Sequence, residues 1–175
     1  VAIISDIGGD PTAITNLYTA IAIDSNNIPH IAFSQYPSKG GLPFLYYTNK
    51  VGGSWNAAVE IEGGTNGNVC AAQEICIDAD NLPCISYVNT TDADVTAAQG
   101  NVNNATSFTL FDISANGGAS GAYKPSIAVD SNGNHHVSHF NSDGADWRVA
   151  IKKHNYSDAW TTWQAIEIVY IIGSL

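Results

Sequence analysis

Acidic and amide side chains recur in short stretches whose spacing suits either a turn or a calcium loop. Asp130, Asn132 and Asn134 follow the Asp-x-Asn-x-Asn order with which calcium loops begin, and Asp78 and Asp80 start a similar stretch. The twelve-residue loop that ends in Glu is missing, however, and Asp and Asn are common turn formers. We therefore expect turns and no cofactor, with calcium as the alternative that an acidic chain allows.

The cysteines are three, and two of them flank one of these stretches. Cys76 and Cys84 would lie across from one another in a hairpin, where the geometry of a disulfide is reasonable. This predicts a disulfide and an oxidising compartment, with buried thiols as the alternative. Cys70 is left over, or pairs with one of the other two. The spacing matches no zinc motif.

Three histidines fall within five residues, at His135, His136 and His139. On a strand, His135 and His139 share one face but stand about 13 Å apart, which is too far for one metal ion. The sequence therefore predicts a structural role for these side chains.

Catalytic patterns are weak. Glu60, Glu62 and Glu167 lie on predicted outer strands, and paired carboxylates cannot be read from one sequence. We predict no catalytic residue, and a glycoside hydrolase ranks last among the functions considered. Three tryptophans are candidates for stacking on sugar rings, although a core role is the simpler interpretation: Trp55, Trp147 and Trp160.

Charge excludes some partners. Six basic residues stand against sixteen acidic ones, giving a formal net charge of −10. A nucleic-acid partner is therefore not expected, nor is an anionic membrane surface. No run reaches the roughly 18 apolar residues of a membrane span. Cations or neutral glycans suit the chain better.

Several features are typical of a secreted or cell-surface protein. The sequence contains no Met and begins with Val, which predicts a processed mature form, and its charged fraction is only 13%. Three sequons offer candidate N-glycosylation sites: Asn89, Asn104 and Asn155.

A threefold internal repeat organises these residues. The stretches "AIAIDSNNIPHI", "EICIDADNLPCI" and "SIAVDSNGNHHV" place Asp24, Asp78 and Asp130 at intervals of 54 and 52 residues. Alternation with a period of two on both sides of each Asp predicts a β-hairpin. Two more strands follow in the first and third units, and four strands make a propeller blade. In the middle unit, the sequence of the third segment matches a strand pattern poorly.

The third copy, with its continuation "SIAVDSNGNHHVSHF", resembles the hairpin repeat of extracellular β-propellers of the sialidase-like and related bacterial surface classes. The resemblance covers about 150 residues. It implies an all-β fold of three propeller-like, four-stranded antiparallel blades plus a spare terminal strand. A sialidase itself is excluded, because the Asp-box Thr-Trp is missing and Arg148 is the single arginine.

One domain over 1–175 is predicted, with the spare strand at 1–9 and blades at about 18–64, 72–117 and 124–171. An unpaired apolar strand invites further pairing, so we expect strand addition between copies. The candidate residues are apolar side chains near both ends: Val1, Ile3, Ile4, Ile7, Ile166, Ile168, Tyr170, Ile171 and Ile172.

The function expected from the sequence is therefore a non-enzymatic extracellular structural protein. It would bind copies of itself in a filament or ring. An oligomeric lectin-like propeller that binds glycans is the second interpretation. A piece of a longer propeller and an irregular three-blade monomer remain open alternatives to assembly.

Overall fold

The computed structural model describes residues 18–35, 43–62, 70–89, 94–114, 123–142, 147–154 and 164–170. All regular structure in these ranges is β-strand. The first group of strands is β1 (Thr19–Ile23), β2 (Pro29–Gln35), β3 (Phe44–Val51), β4 (Ser54–Trp55) and β5 (Val59–Glu62). The second is β6 (Cys70–Ile77), β7 (Pro83–Asn89), β8 (Asp94–Gly100) and β9 (Phe108–Asp112). The third is β10 (Tyr123–Val129), β11 (His135–Ser142), β12 (Trp147–His154) and β13 (Gln164–Tyr170).

Each group forms one antiparallel sheet in which neighbouring strands follow the order of the chain. Blade 1 pairs β1-β2-β3, and β3 then pairs with both β4 and β5; blade 2 is β6-β7-β8-β9, and blade 3 is β10-β11-β12-β13. The predicted all-β fold of four-stranded antiparallel blades is confirmed. The spare strand predicted at 1–9 lies outside the described residues, and the division into a single domain stays a prediction.

The middle blade is packed on both faces, which explains its unusual third strand. Every residue of β7 is buried, and β8 contributes Ala97 and Ala98 to opposite cores. Small side chains let the two neighbouring blades approach closely. Gly100, which ends β8, has no room for a side chain, because a Cβ there would lie 2.7 Å from carbon atoms of both Pro83 and Ala105. The segment that reads poorly as a strand is therefore shaped by packing.

Two hydrophobic cores lie between the blades. Tyr47 and Leu45 of blade 1 pack against Ile85 and Tyr87 of blade 2, and the ring of Tyr47 meets Phe108 edge-on at 5.2 Å between centroids. On its other face, blade 2 packs against blade 3, and the buried residues of that second core are Cys84, Val95, Ala97, Ile113, Ile127 and Val137.

The three repeated turns share one hydrogen-bonding pattern. In each, Oδ1 of the aspartate accepts the backbone N–H groups of the residues two and four positions later, at 2.8–2.9 Å. The residue three positions later has a positive φ, which favours Asn or Gly: Asn27 at 59°, Asn81 at 61° and Gly133 at 80°. We call the edge of the blades that carries these turns the turn edge, and the other the loop edge.

Helices that could cross a membrane are not found within the described ranges.

Candidate active site

A carboxylate is held between blades 1 and 2 at the loop edge. Glu62, the last residue of β5, accepts a short hydrogen bond from the Tyr87 hydroxyl through Oε2. Its Oε1 accepts the side-chain amide of Asn89 at 3.3 Å. Tyr87 and Asn89 are both buried on β7. Glu62 itself is half-buried, and these two hydrogen bonds fix the direction of its carboxylate.

A bulge in β5 gives Glu62 this direction. Leu45 of β3 is opposite Glu62, and the next residue, Tyr46, is opposite Glu60, so the register shifts between the two pairs. The two glutamates therefore leave opposite faces of blade 1, although a regular strand would place them together. Glu60 lies beside Tyr46, and burial together with this carboxylate raises the pKa of Tyr46.

A second carboxylate lies at the same edge of blade 2. Asp94 begins β8 and is the register partner of Asn89, so the two side chains leave the same face of blade 2 with Cβ atoms about 5 Å apart. Asp94 is buried at the edge of the blade. Glu62, Asn89 and Asp94 therefore form a row along the loop edge, with Tyr87 beneath Glu62.

A third acidic residue lies on the inner strands. β6 contacts both β1 and β10, so these first strands of the three blades lie side by side. Glu74 is exposed on β6 directly after a bulge, and β10 has a bulge at the matching place. Lys124, within the β10 bulge, has a φ of 49°. Bulges often direct side chains next to active sites.

Sequence reasoning placed Glu60 and Glu62 on an outer strand but did not pair Glu62 with anything. It missed Tyr87, Asp94 and Glu74 altogether, and it named Asn89 only as a glycosylation candidate. The signal available was the acid at the end of one unit, together with polar residues at the end of the second strand of the next. The pairing itself depends on how two blades pack.

At the turn edge, the calcium candidates are occupied by N–H donors. Oδ1 of Asp130 accepts the backbone of Asn132 and Asn134, and Oδ2 lies 2.8 Å from Asn134 Nδ2 and 3.1 Å from His136 Nε2. The Asn134 amide, followed by His136, holds the pKa of Asp130 well below its usual range. Asn132 and Asp80 are exposed. These bonds account for the Asp/Asn pattern as a turn, and calcium binding stays a prediction.

The predicted disulfide gains no support from the structure. Cys76 and Cys84 are register partners, as expected, but both are free thiols. The Cys84 sulfur is directed to the next blade instead, where it lies 3.2 Å from Nε2 of His135. Burial, and after it the neighbouring Cys76 and Asp78, raises the pKa of the Cys84 thiol.

The tryptophans and sequons are only partly described. Trp55 is half-buried on β4, Trp147 is on β12 and Trp160 lies outside the described residues; sugar stacking stays a prediction. Asn89 is buried against Glu62, which argues against a glycan there. Asn104 is exposed and Asn155 is outside the described ranges.

Of the residues predicted to mediate assembly, some lie on a described strand and the others lie outside the described residues. Ile166, Ile168 and Tyr170 are on β13, which pairs with β12 of its own blade. One edge of β13 is therefore used inside its own blade. The remaining candidates lie outside the described residues: Val1, Ile3, Ile4, Ile7, Ile171 and Ile172.

Comparison with protein-family models and with curated proteins finds no match. Among solved structures, an α-L-arabinanase from Penicillium chrysogenum is similar with a TM-score of 0.67 and 11% identity over 91% of this chain and 50% of that one. An α-L-arabinofuranosidase from Fusarium graminearum has a TM-score of 0.67 and 8% identity over 94% and 50%. An endo-arabinase from Bacteroides thetaiotaomicron has a TM-score of 0.56 and 10% identity over 86% and 61%.

These similarities support a β-propeller fold, and the chain spans about half the length of the first two structures. They also correct the functional expectation. A non-enzymatic structural protein that assembles through its terminal strands is contradicted, because the structures that share the fold over most of the chain are glycoside hydrolases. The lectin alternative gains no support from them.

Proposed function

We propose that this chain supplies blades of a glycoside hydrolase that acts on neutral, pentose-containing polysaccharides. The observation that carries the proposal is the similarity in fold, over 91% and 94% of the chain, to an arabinanase and an arabinofuranosidase. The repeat that resembles sialidase-like and bacterial surface propellers is compatible with it, since that resemblance concerns the blades and not the chemistry.

The loop edge supplies the residue types that glycoside hydrolysis needs. In glycoside hydrolysis, one carboxyl group donates a proton to the oxygen of the leaving sugar. The second carboxylate either activates a water molecule or itself attacks the anomeric carbon. In both cases water finally takes the place of the leaving sugar. Glu62 accepts hydrogen bonds from Tyr87 and Asn89, so we assign it the role of the second carboxylate, the base or nucleophile. Asp94, the register partner of Asn89, is the residue to which we assign the role of proton donor.

The charge of the chain favours a neutral substrate. With a formal net charge of −10, the surface repels polyanions at long range. Arabinans and xylans without uronic acids meet no such repulsion.

The test is hydrolysis of 4-nitrophenyl α-L-arabinofuranoside, linear arabinan and xylan by the purified chain. We expect Glu62→Gln to lower kcat by about 10²–10⁴-fold, because it removes a carboxylate that takes part in the reaction. Asp94→Asn should have a loss of the same order. Glu60→Gln is the matched control, since Glu60 is on the same strand but leaves the other face.

The outcomes separate the activity from the site. If Glu74→Gln abolishes turnover and Glu62→Gln does not, the hydrolase proposal stands and the carboxylate lies on the inner strands. If the folded wild-type chain neither hydrolyses nor binds any of these substrates, the proposed function is wrong.

A further inference from the structure

Three departures from the internal repeat meet in one place. Counted from the aspartate of each turn, the Cys76 position holds Ala22 and Ala128 in the other blades, and the Cys84 position holds His30 and His136. The His135 position holds Pro29 and Pro83. Blade 2 therefore changes two residues to cysteine, and blade 3 changes one to histidine. In the structure, Cys84 and His135 are in contact across the boundary between those blades.

The contact forms a compact set of metal-ligating atoms. Cys84 Sγ lies 3.2 Å from His135 Nε2 and 3.8 Å from Asp78 Oδ2. The three ligand atoms all lie within 4.8 Å of one another. On a tetrahedral zinc ion, with bonds of about 2.0–2.3 Å, ligand atoms are about 3.3–3.8 Å apart. The separation of 3.8 Å falls within that range, and the separation of 3.2 Å lies just below it.

We propose that Asp78, Cys84 and His135 bind one zinc ion that links blade 2 to blade 3; Cys76 lies outside this compact set. Cys76 is the register partner of Cys84 and packs against the same core. Thiolate, imidazole and carboxylate are the ligands that zinc takes in proteins, whereas calcium prefers oxygen alone. The zinc site is separate from the carboxylates at the loop edge.

The surroundings favour a closed, structural site. Asp78 is 5% exposed, Cys84 0% and His135 1%, so these buried side chains are out of reach of a substrate in solution. Oδ1 of Asp78 is fixed by the backbone of Asp80 and Leu82, and Oδ2 accepts the Gln99 side-chain amide at 3.0 Å. Such outer hydrogen bonds orient metal ligands. The ligand carboxylate is therefore aimed before the metal arrives.

Sequence spacing does not reveal this site, because its ligands come from two blades. Asp78 and Cys84 are six residues apart, and His135 follows 51 residues later. A search for paired cysteines and histidines at short intervals passes over such a set.

The experiment uses the full chain, reduced with a non-chelating phosphine and stripped of metal. Titration with Co²⁺ should give a thiolate-to-cobalt charge-transfer band at one equivalent, and one equivalent of Zn²⁺ should abolish it. Zinc should also raise the thermal midpoint, because it binds only the folded chain. Cys84→Ser should remove the charge-transfer contribution of that thiolate, and His135→Pro should weaken zinc binding by more than about tenfold.

His135→Pro introduces the residue that the other two turns have, so it suits the local backbone. His136→Gln is the matched control, because His136 faces its own turn at Asp130, and it should bind zinc as the wild type does. The proposal is overturned if the folded, reduced chain shows no charge-transfer band. It is equally overturned if Cys84→Ser and His135→Pro bind like the wild type, or if a Cys76–Cys84 disulfide persists under the reductant.

Discussion

The turns of blades 1 and 3 have the same sequence pattern and the same backbone hydrogen bonds, yet they lie in different surroundings. The side chains of Asp24 and His30 are both 0% exposed. The side chains of Asp130 and His136 are 32% and 35% exposed. In both turns the His Nε2 faces the aspartate Oδ2, at 3.5 Å in blade 1 and 3.1 Å in blade 3.

The difference comes from the groups that hydrogen-bond to the second oxygen of each aspartate carboxylate. Asn103, in the loop between β8 and β9 of blade 2, donates its amide to Asp24 Oδ2 at 2.9 Å. The Tyr47 hydroxyl lies 2.6 Å from His30 Nδ1. The partners of Asp130 Oδ2 are Asn134 and His136, which belong to the same hairpin. The comparison shows that the chain specifies the turn locally, whereas a neighbouring blade decides whether its polar groups are buried.

The largest expected effect is that of Asp24→Ala. It removes the acceptor for two backbone N–H groups and leaves the Asn103 amide and His30 without that partner in a buried place. We expect a loss of about 2–4 kcal/mol in the free energy of unfolding, measured by urea denaturation. Asp130→Ala, which loses the same kind of turn at the surface, should cost clearly less.

Equal losses for the two alanine variants would contradict this interpretation. They would mean that the turn's own hydrogen bonds supply the stability, and that burial by blade 2 adds nothing.

The second prediction concerns pH. Burial lowers the pKa of His30, and the nearby Asp24 carboxylate only partly opposes this. A histidine with a folded pKa below its unfolded value of about 6.5 binds fewer protons when folded, so its contribution to stability is lost as pH falls below about 6.5. The urea midpoint of the wild type should therefore decrease between pH 7.5 and 5.5, and His30→Gln should reduce that decrease.

His136→Gln is the control, because it leaves His30 in place, and it should keep the wild-type decrease. A urea midpoint unchanged down to pH 5.5 in the wild type would rule out the burial of a neutral His30.

Asp24 should cause a second loss of stability at lower pH. Burial alone would raise its pKa, but the hydrogen bonds it accepts lower the value to about 2. Its contribution is present above about pH 3.8 and is lost as pH falls through 2.

The smallest expected effect is at the positive-φ position of the turns. Asn27 has a φ of 59° where blade 3 has Gly133. Asn27→Ala should cost about 1 kcal/mol, because alanine is strained in the left-handed region. Asn27→Gly should change stability by less than about 0.5 kcal/mol, since glycine tolerates that conformation. Thermal unfolding of the two variants measures the difference, and an alanine variant as stable as the glycine variant would exclude a strained turn.

Much of the fold follows from period-two alternation and from the Asp-Asn turns, because both act over a few residues. The blade pattern was therefore predicted correctly. The β8 segment was underestimated, since its alanines suit a strand only when two blades press on it. The disulfide was predicted from two cysteines in register, but the direction of the Cys84 side chain depends on His135 of the next blade.

The candidate active site was hardly predictable. Glu62 is aimed by a bulge that shifts β5 against β3, and the sequence alternation gives the opposite face. Its partners Tyr87 and Asn89 belong to another blade and look like ordinary strand residues when read alone.

The sequence by itself determined the three hairpins, the turn at each aspartate and the acidic charge, since these depend on neighbouring residues and on composition. Only the tertiary structure decided which of three similar turns is buried, which glutamate faces the next blade, and that Asp78, Cys84 and His135 meet. Contacts between blades join residues about fifty positions apart, and local propensity carries no information about such pairs.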